Sequence, residues 1–325
     1  MSDIHLERNR LLVKISQLYY EEGHNQQEIA QRLGISRPHV SRMLTAAKAE
    51  GIVQIHIRNP YSIEQEIEKR LIETFGIHDA LVVHIQDADV AIRNLQLGRT
   101  CAALLESILK DDDLVGVMAG HTISSLCNEI EYFSRKNLQF VSLIGGWGSE
   151  GATWHANANT SMLAGKLRSK HWLLHAPAVV GSEEACAYLH QEPQIAEVLQ
   201  LAGRSQLAVV GIGQVSEQAT IVESGYFSDA DFLDVQGRGA VANICASFLG
   251  KQGELLDFAA SKRMIGITAS ELRGIPNVIG LAGGLEKVEA ITAALRGKWI
   301  DILVTDLDTA QAVLALEDQK AITKG

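Results

Sequence analysis

Residues 25–44 read NQQEIAQRLGISRPHVSRML, and the order of caps, glycine and apolar positions in them decides the fold of the first sixty residues. Asn25 is a preferred helix N-cap, and Gln26, Gln27 and Glu28 bring acceptors and an acid to a first turn whose N–H groups lack partners. That helix stops at Gly34. Ser36 takes the cap position of the next, which runs to about Glu50 with Pro38 in its first turn, where a missing N–H does no harm. A helix-turn-helix needs a small residue at the crossing, a glycine at the turn and apolar anchors on the second helix. Ala30, Gly34, Ile35, Val40 and Met43 fill these places in order. A helical hairpin packed inside a larger fold is the alternative. Against it stands the outward face, where Arg37, Ser41, Arg42 and Thr45 offer what base edges and phosphates require.

Working outward, Leu11, Leu12, Ile15, Leu18 and Tyr19 follow the 3–4 residue spacing of a helix buried on one face, over Leu6 to Tyr20, with Gly23 ending it. After Gly51, the stretch IVQIHI (52–57) alternates strictly and predicts a short strand, the winged variant of the motif. In this reading Arg37, Ser41 and Arg42 enter the major groove with His39 beside them. Gln27 and Ser36 face phosphates. The partner is double-stranded DNA.

At 325 residues, 46% hydrophobic and 21% charged with 5 prolines, the chain has the composition of a compact protein of two folding units. No stretch approaches the ~18 apolar residues of a membrane span, and MSDIHLERNR has no apolar signal core, so a cytoplasmic protein that avoids membranes is expected. Cys101, Cys127, Cys186 and Cys245 stand singly in apolar stretches, as buried small hydrophobes do in a reducing compartment. Residues 1–60 carry eight Lys/Arg against six Asp/Glu, a net +2 that leaves −12 on the rest of a chain at −10. An acidic body turns a mildly basic head toward a polyanion.

Three segments follow: a head (1–58), a linker helix (59–76) and a large body (77–325). In the linker, Ile63, Ile67, Leu71 and Phe75 recur every fourth residue, giving an apolar stripe for the body or for a second copy of the chain. In the body, ALVVHI, LVGVMAG, FVSLIGG, LAVVGIG, MIGITA, NVIGLAGG and DILVTD are short, wholly apolar runs leading into glycine turns and helices. Such runs are parallel strands covered on both faces, and predict a doubly wound α/β sheet that binds ligands beyond the carboxyl ends of its strands. There, Gly120-His121-Thr122 joins a strand to a helix N-terminus, a geometry suited to phosphate, although the turn is neither a Walker A loop nor a dinucleotide fingerprint. AGGLEKVEAI (282–291) is a second such turn. Lys287 there opposes the helix dipole, which an anionic partner explains and a solvated lysine also permits.

The stretch LYYEEGHNQQEIAQRLGISRPHVSRML, together with ATIVESGYFS, GAVANICASFLGKQGELLD, IGITASELRGIPNVIGLAGGLEKVEAITAALRG and ILVTDLDTAQAVL, resembles the SorC family of bacterial sugar-responsive transcription regulators over nearly the whole chain. The resemblance implies a helix-turn-helix head and an effector domain like ribose-phosphate isomerases and CoA transferases. It also implies dimers or tetramers, with operator affinity set by a phosphorylated sugar or polyol. By position, Gly120, His121, Thr122, Ile123 and Lys287 match the family's phosphate-holding parts, Gly145 and Gly146 a second glycine loop over the ligand, and Asp306 the acid at a strand end. His121 stands where a small hydroxyl residue is common, and Ala242-Asn243 where Gly-Asp is frequent, which marks Asn243 as a specificity position because an amide both donates and accepts.

An isomerase-like enzyme on the same α/β domain is the competing class. Asp229, Asp231 and Asp234 form a tight acidic cluster, expected on an exposed loop, and no nucleophile signature accompanies them. His171 and His175, four apart, carry the spacing of a metal pair but also that of a strand. No catalytic residue, metal or cofactor is expected.

Overall fold

The computed structural model describes residues 3–53, 62–87, 89–146, 153–215 and 229–323. It divides into two compact units, Met1–Pro60 and Tyr61–Gly325.

The first unit is three helices, α1 (Asp3–Tyr20), α2 (Gln26–Leu33) and α3 (Arg37–Ala49). α1 begins three residues earlier than its apolar spacing predicts. Asn25 Oδ1 accepts from the N–H groups of Gln27 and Glu28 at 2.9 and 3.1 Å, and Glu28 Oε2 accepts from the Asn25 N–H, so two helix-start donors are satisfied reciprocally. Gly34 closes α2 in the left-handed region at φ 68°. Leu12, Ile15, Leu18, Ile29, Ala30, Val40, Met43, Leu44 and Ala47 form the core. Of the strand expected over 52–57, Ile52 and Val53 form a bend and the remainder lies outside the described residues.

The second unit opens with α4 (Ser62–Phe75). Ile67, Leu71 and Phe75 are buried against the body, but Ile63 is 59% exposed, so the stripe expected from sequence is one turn shorter. There follow β1 (Asp79–Val83), α5 (Val90–Ile108), β2 (Leu114–Val117), α6 (His121–Glu129), β3 (Gln139–Ser142), α7 (Ala156–Lys166) and β4 (Lys170–Trp172). α8 (Glu183–Gln191), α9 (Pro193–Ala202), β5 (Leu207–Gly211), β6 (Gly213–Gln214), α10 (Asp229–Gly237), β7 (Ala240–Ile244), β8 (Ser247–Gly250) and β9 (Leu255–Leu256) come next. The chain ends with α11 (Ala269–Gly274), β10 (Val278–Leu281), α12 (Val288–Arg296), β11 (Ile302–Asp306) and α13 (Leu307–Thr323).

Seven strands make one parallel sheet in the order β1-β11-β10-β5-β2-β3-β4, and β6-β7-β8-β9 make a small antiparallel sheet. Along each central strand, alternate residues enter opposite cores: Val115, Val117, Val209, Ile279 and Val304 on one face, Leu114, Val210, Val278 and Leu303 on the other. Burial on both faces is why these runs are apolar throughout. From β2 the chain steps to β3 and β4, then returns to the other side of β2 as β5. The gap between β2 and β5 is therefore a topological switch point, where doubly wound sheets open a crevice.

Two expectations are corrected. MIGITA is not a sheet strand; its backbone is held by single bridges, Ile144 to Gly266 and Val179 to Met264, both antiparallel. An added Cβ at Gly266 would sit 3.0 Å from the Leu143 carbonyl, so glycine lets this apolar segment lie against the chain after β3. The acidic cluster sits on helix α10 rather than a loop, where Asp231 pairs with Arg263 at 2.7 Å and Asp234 with Arg238 at 2.9 Å. β4 and the antiparallel sheet carried no periodicity strong enough to announce them.

Candidate functional site

On the first unit, Gln27, Ser36, Arg37, Ser41 and Arg42 are exposed and His39 is half-buried. Ser36 holds the extended cap conformation at φ −79° and ψ 148°, yet its hydroxyl makes no capping bond. The hydroxyl is left open, while the N–H groups of His39 and Val40 donate to the Ser36 carbonyl at 2.9 and 3.1 Å. Arg8 is tied to Glu50 at 2.6 Å and Arg32 to Glu22 at 3.3 Å, whereas Arg37 and Arg42 make no ion pair or hydrogen bond among the described residues. Two unengaged guanidinium groups thus stand on the helix face opposite its buried Val40, Met43, Leu44 and Ala47.

On the second unit, a cavity of about 260 Å³ opens beyond the carboxyl ends of β2, β5 and β10. Gly120 precedes α6 at φ 135°, a conformation that favours glycine, and its N–H donates to the Trp154 carbonyl at 2.8 Å. The turn that follows, His121, Thr122 and Ile123, lines the cavity with a helix N-terminus. Thr122 Oγ1 donates to Asn94 Oδ1 at 3.0 Å, and the His121 ring lies 5.3 Å from that of Trp154.

Lys287 closes the opposite wall of this lining, half-buried, with no ion pair or hydrogen bond among the described residues. Withdrawal from water holds its ammonium below the ordinary lysine pKa; Glu286 opposes the shift, and the positive charge of Arg93 adds to it. Arg93 itself is engaged, 3.5 Å from Glu286 Oε1 and 3.9 Å from Asp306 Oδ2.

The remaining residues singled out in the sequence separate here. Asn243 lines the cavity, 6% exposed, but its Nδ2 donates to the carbonyls of Cys245 and Ser247, both at 3.1 Å. Both amide hydrogens hold the β7–β8 hairpin, and only Oδ1 remains for a ligand. An Asn243→Asp chain would turn a carboxylate onto two carbonyls. We expect that variant to lose about 2–3 kcal/mol of stability, read as a lowered thermal midpoint without ligand.

Asp306, expected at the ligand, lies behind the lining. Its carboxylate accepts from the Gly284 N–H at 3.0 Å and from the N–H and hydroxyl of Thr309 at 2.9 and 2.7 Å. An added Cβ on Gly283 would stand 2.3 Å from Asp306 Oδ2, so this acid shapes the Gly283–Gly284 turn that carries Lys287. Gly145 and Gly146 also fall outside the lining. Their N–H groups donate to Ile265 and Ala176 carbonyls at 2.9 and 2.8 Å, and an added Cβ on Gly145 would lie 2.6 Å from the Ala176 carbonyl, so they serve close backbone packing. Asn94, Trp154, Gln214 and Glu286 line the cavity and were not singled out from sequence. Asn94 interrupts an apolar helix pattern and Glu286 adjoins Lys287, and these were the signals available.

All four cysteines are buried thiols, and burial pushes Cys101 and Cys245 up to about 12, so they are inert. Among the described residues no three His, Cys, Asp or Glu cluster as metal ligands, and no helix is long and apolar enough to cross a membrane.

The comparisons with known proteins agree with this layout. Residues 59–315 match the family described as "Putative sugar-binding domain", and residues 14–48 match sigma-70 region 4. The chain is 33% identical over 318 residues to the transcriptional regulator LsrR of Enterobacter sp. (strain 638), spanning 96% of this chain and 94% of that one. It is 30% identical over 310 residues to the sorbitol operon regulator of Klebsiella pneumoniae, at 94% and 98% coverage. The crystal structure of full-length SorC from K. pneumoniae matches with a TM-score of 0.74 at 30% identity, over 97% of this chain and 99% of that one.

Proposed function

We propose that this chain, which belongs to the SorC family of sugar-responsive transcription regulators, reads operator DNA with residues 1–58 and holds a phosphorylated sugar or polyol in the cavity of residues 77–325. Arg37, Ser41 and Arg42, with His39, face bases, and Gln27 and Ser36 face phosphates. Arg37 and Arg42 are free to do so because no neighbouring carboxylate holds them.

The observation that carries the effector reading is Lys287, an ammonium without a partner among the described residues, on the wall of a cavity that also receives a helix N-terminus. Phosphate satisfies both: it pairs with the cation and accepts from the open N–H groups of His121, Thr122 and Ile123. Asn243 Oδ1 accepts from a ligand hydroxyl. Asp306, Gly145 and Gly146 act one step back, by shaping the loops. A thermal-shift screen of sugar and polyol phosphates tests this, since a ligand of the folded state raises stability by mass action. Lys287→Ala should weaken a phosphorylated hit by about tenfold to a hundredfold and leave its unphosphorylated analogue unchanged. An equal loss for both would remove the phosphate from the wall.

Regulation then follows from linkage. Effector and DNA each favour one arrangement of subunits, and the effector shifts operator affinity by its differential affinity for the two. This requires a homodimer or homotetramer, measurable by light scattering, acting in the cytoplasm where operators are. A regulatory rather than an isomerase-like role is supported by its named relatives, which are regulators, and by the commitment of Asp231 and Asp234 to arginines.

A further inference from the structure

We infer that the cavity selects a ligand with a single phosphate group, and that Glu286 enforces the choice by placing a carboxylate on the cavity wall, paired with Arg93 behind it. The inference rests on the phosphate reading of the cavity and adds a discrimination to it.

Among the described residues, two Lys or Arg side chains reach this region. Lys287 lines the cavity and has no partner. Arg93, on the first turn of α5, lies behind the Gly283–Gly284 turn; an added Cβ on Gly284 would be 2.5 Å from its Nη1. It is 16% exposed and lies between two carboxylates, Glu286 at 3.5 Å and Asp306 at 3.9 Å. The stretches 147–152 and 216–228 contain no Lys or Arg, and hold Glu150, Glu217 and Glu223 instead.

One dianionic phosphate matches one free ammonium and the partial positive charge of a helix N-terminus. A second phosphate finds no uncommitted cation. It meets instead the Glu286 carboxylate, itself part of the cavity wall and 47% exposed. Rejection by a like charge is a common route to specificity, because it penalises the second phosphate more than the first. Asp306 cannot be the discriminating acid, because its oxygens are already taken by the Gly284 and Thr309 donors. Glu286 differs: among the described residues it has no hydrogen bond from the backbone, and its removal has two effects at once. The repulsion disappears and Arg93 loses its nearer partner.

Glu286→Gln keeps shape and hydrogen-bonding reach while deleting the charge. Isothermal titration calorimetry of the full-length wild type and of this variant, with inorganic phosphate and with pyrophosphate, reads the effect apart from any sugar fit. Circular dichroism establishes that the variant is folded. The wild type should bind phosphate more tightly than pyrophosphate. In the variant, pyrophosphate should tighten by about fivefold, and phosphate by less. If wild-type protein prefers pyrophosphate, or the variant tightens both anions equally, the selection by Glu286 is overturned. If neither anion binds wild-type protein, the phosphate reading fails first and the selectivity falls with it.

Discussion

Replacing Arg37 and Arg42 together by alanine is expected to erase sequence-specific operator binding while the three-helix head stays folded. Both side chains are exposed and lack partners among the described residues, so their loss leaves Leu12, Ile15, Ile29, Val40 and Leu44 packed as before. Exposed substitutions of this kind change stability by about 0.5 kcal/mol or less. The effect on DNA is much larger. An arginine gripping guanine O6 and N7 is worth about 1–3 kcal/mol, so two removed together lower specific affinity by roughly two to four powers of ten. Fluorescence anisotropy with an operator duplex and a scrambled duplex, at one salt concentration, separates reading from attraction to the backbone. A preserved ratio of specific to nonspecific affinity would show that bases are read elsewhere.

Gly98→Ala is the second large effect, and its sign distinguishes local from tertiary control. Gly98 lies inside α5, where alanine is favoured over glycine by about 1 kcal/mol. On propensity alone the variant is more stable. In the folded protein, however, an added Cβ would stand 2.6 Å from the Leu126 backbone nitrogen and 2.6 Å from the Ser125 carbonyl carbon. Both are backbone atoms of α6, so no rotamer change relieves the contact and the helices must separate. Overpacking of this sort costs about 1–3 kcal/mol or more, which outweighs the propensity gain. We expect a net loss of about 2 kcal/mol, seen as a thermal midpoint lowered by several degrees. A midpoint that rises would mean the α5–α6 crossing yields easily. Since α6 opens at the cavity turn, effector affinity should fall alongside stability.

Much of the candidate site was legible without coordinates, for a reason that differs between its parts. The residues proposed to face DNA lie within a span of sixteen, on two short helices whose caps, glycine and apolar spacing are local signals. The Gly120 turn and Lys287 were legible because glycine turns after apolar strands and a cation at a helix start are local too. Asn243, Asp306 and the Gly145–Gly146 pair were assigned by position, and the structure moves the latter two out of the lining. What their backbone and side-chain groups bond to depends on chain far away: Gly284 and Thr309 for Asp306, Ala176 and Ile265 for the glycines. Arg93 and Glu286, nearly two hundred residues apart in the chain, have no shared local signal at all.

By itself, then, the sequence determined a helix-turn-helix head with an outward basic face, and an α/β body of wholly apolar parallel strands ending in glycine turns. Those are consequences of backbone hydrogen-bonding periodicity and turn stereochemistry, which act over a few residues. Only the tertiary structure decided which polar groups remain unpaired beyond the strands. A buried donor or acceptor is spent or left open according to what folds against it, and so Lys287 faces the cavity free while Asp306 and the Asn243 amide hydrogens are consumed in holding it open.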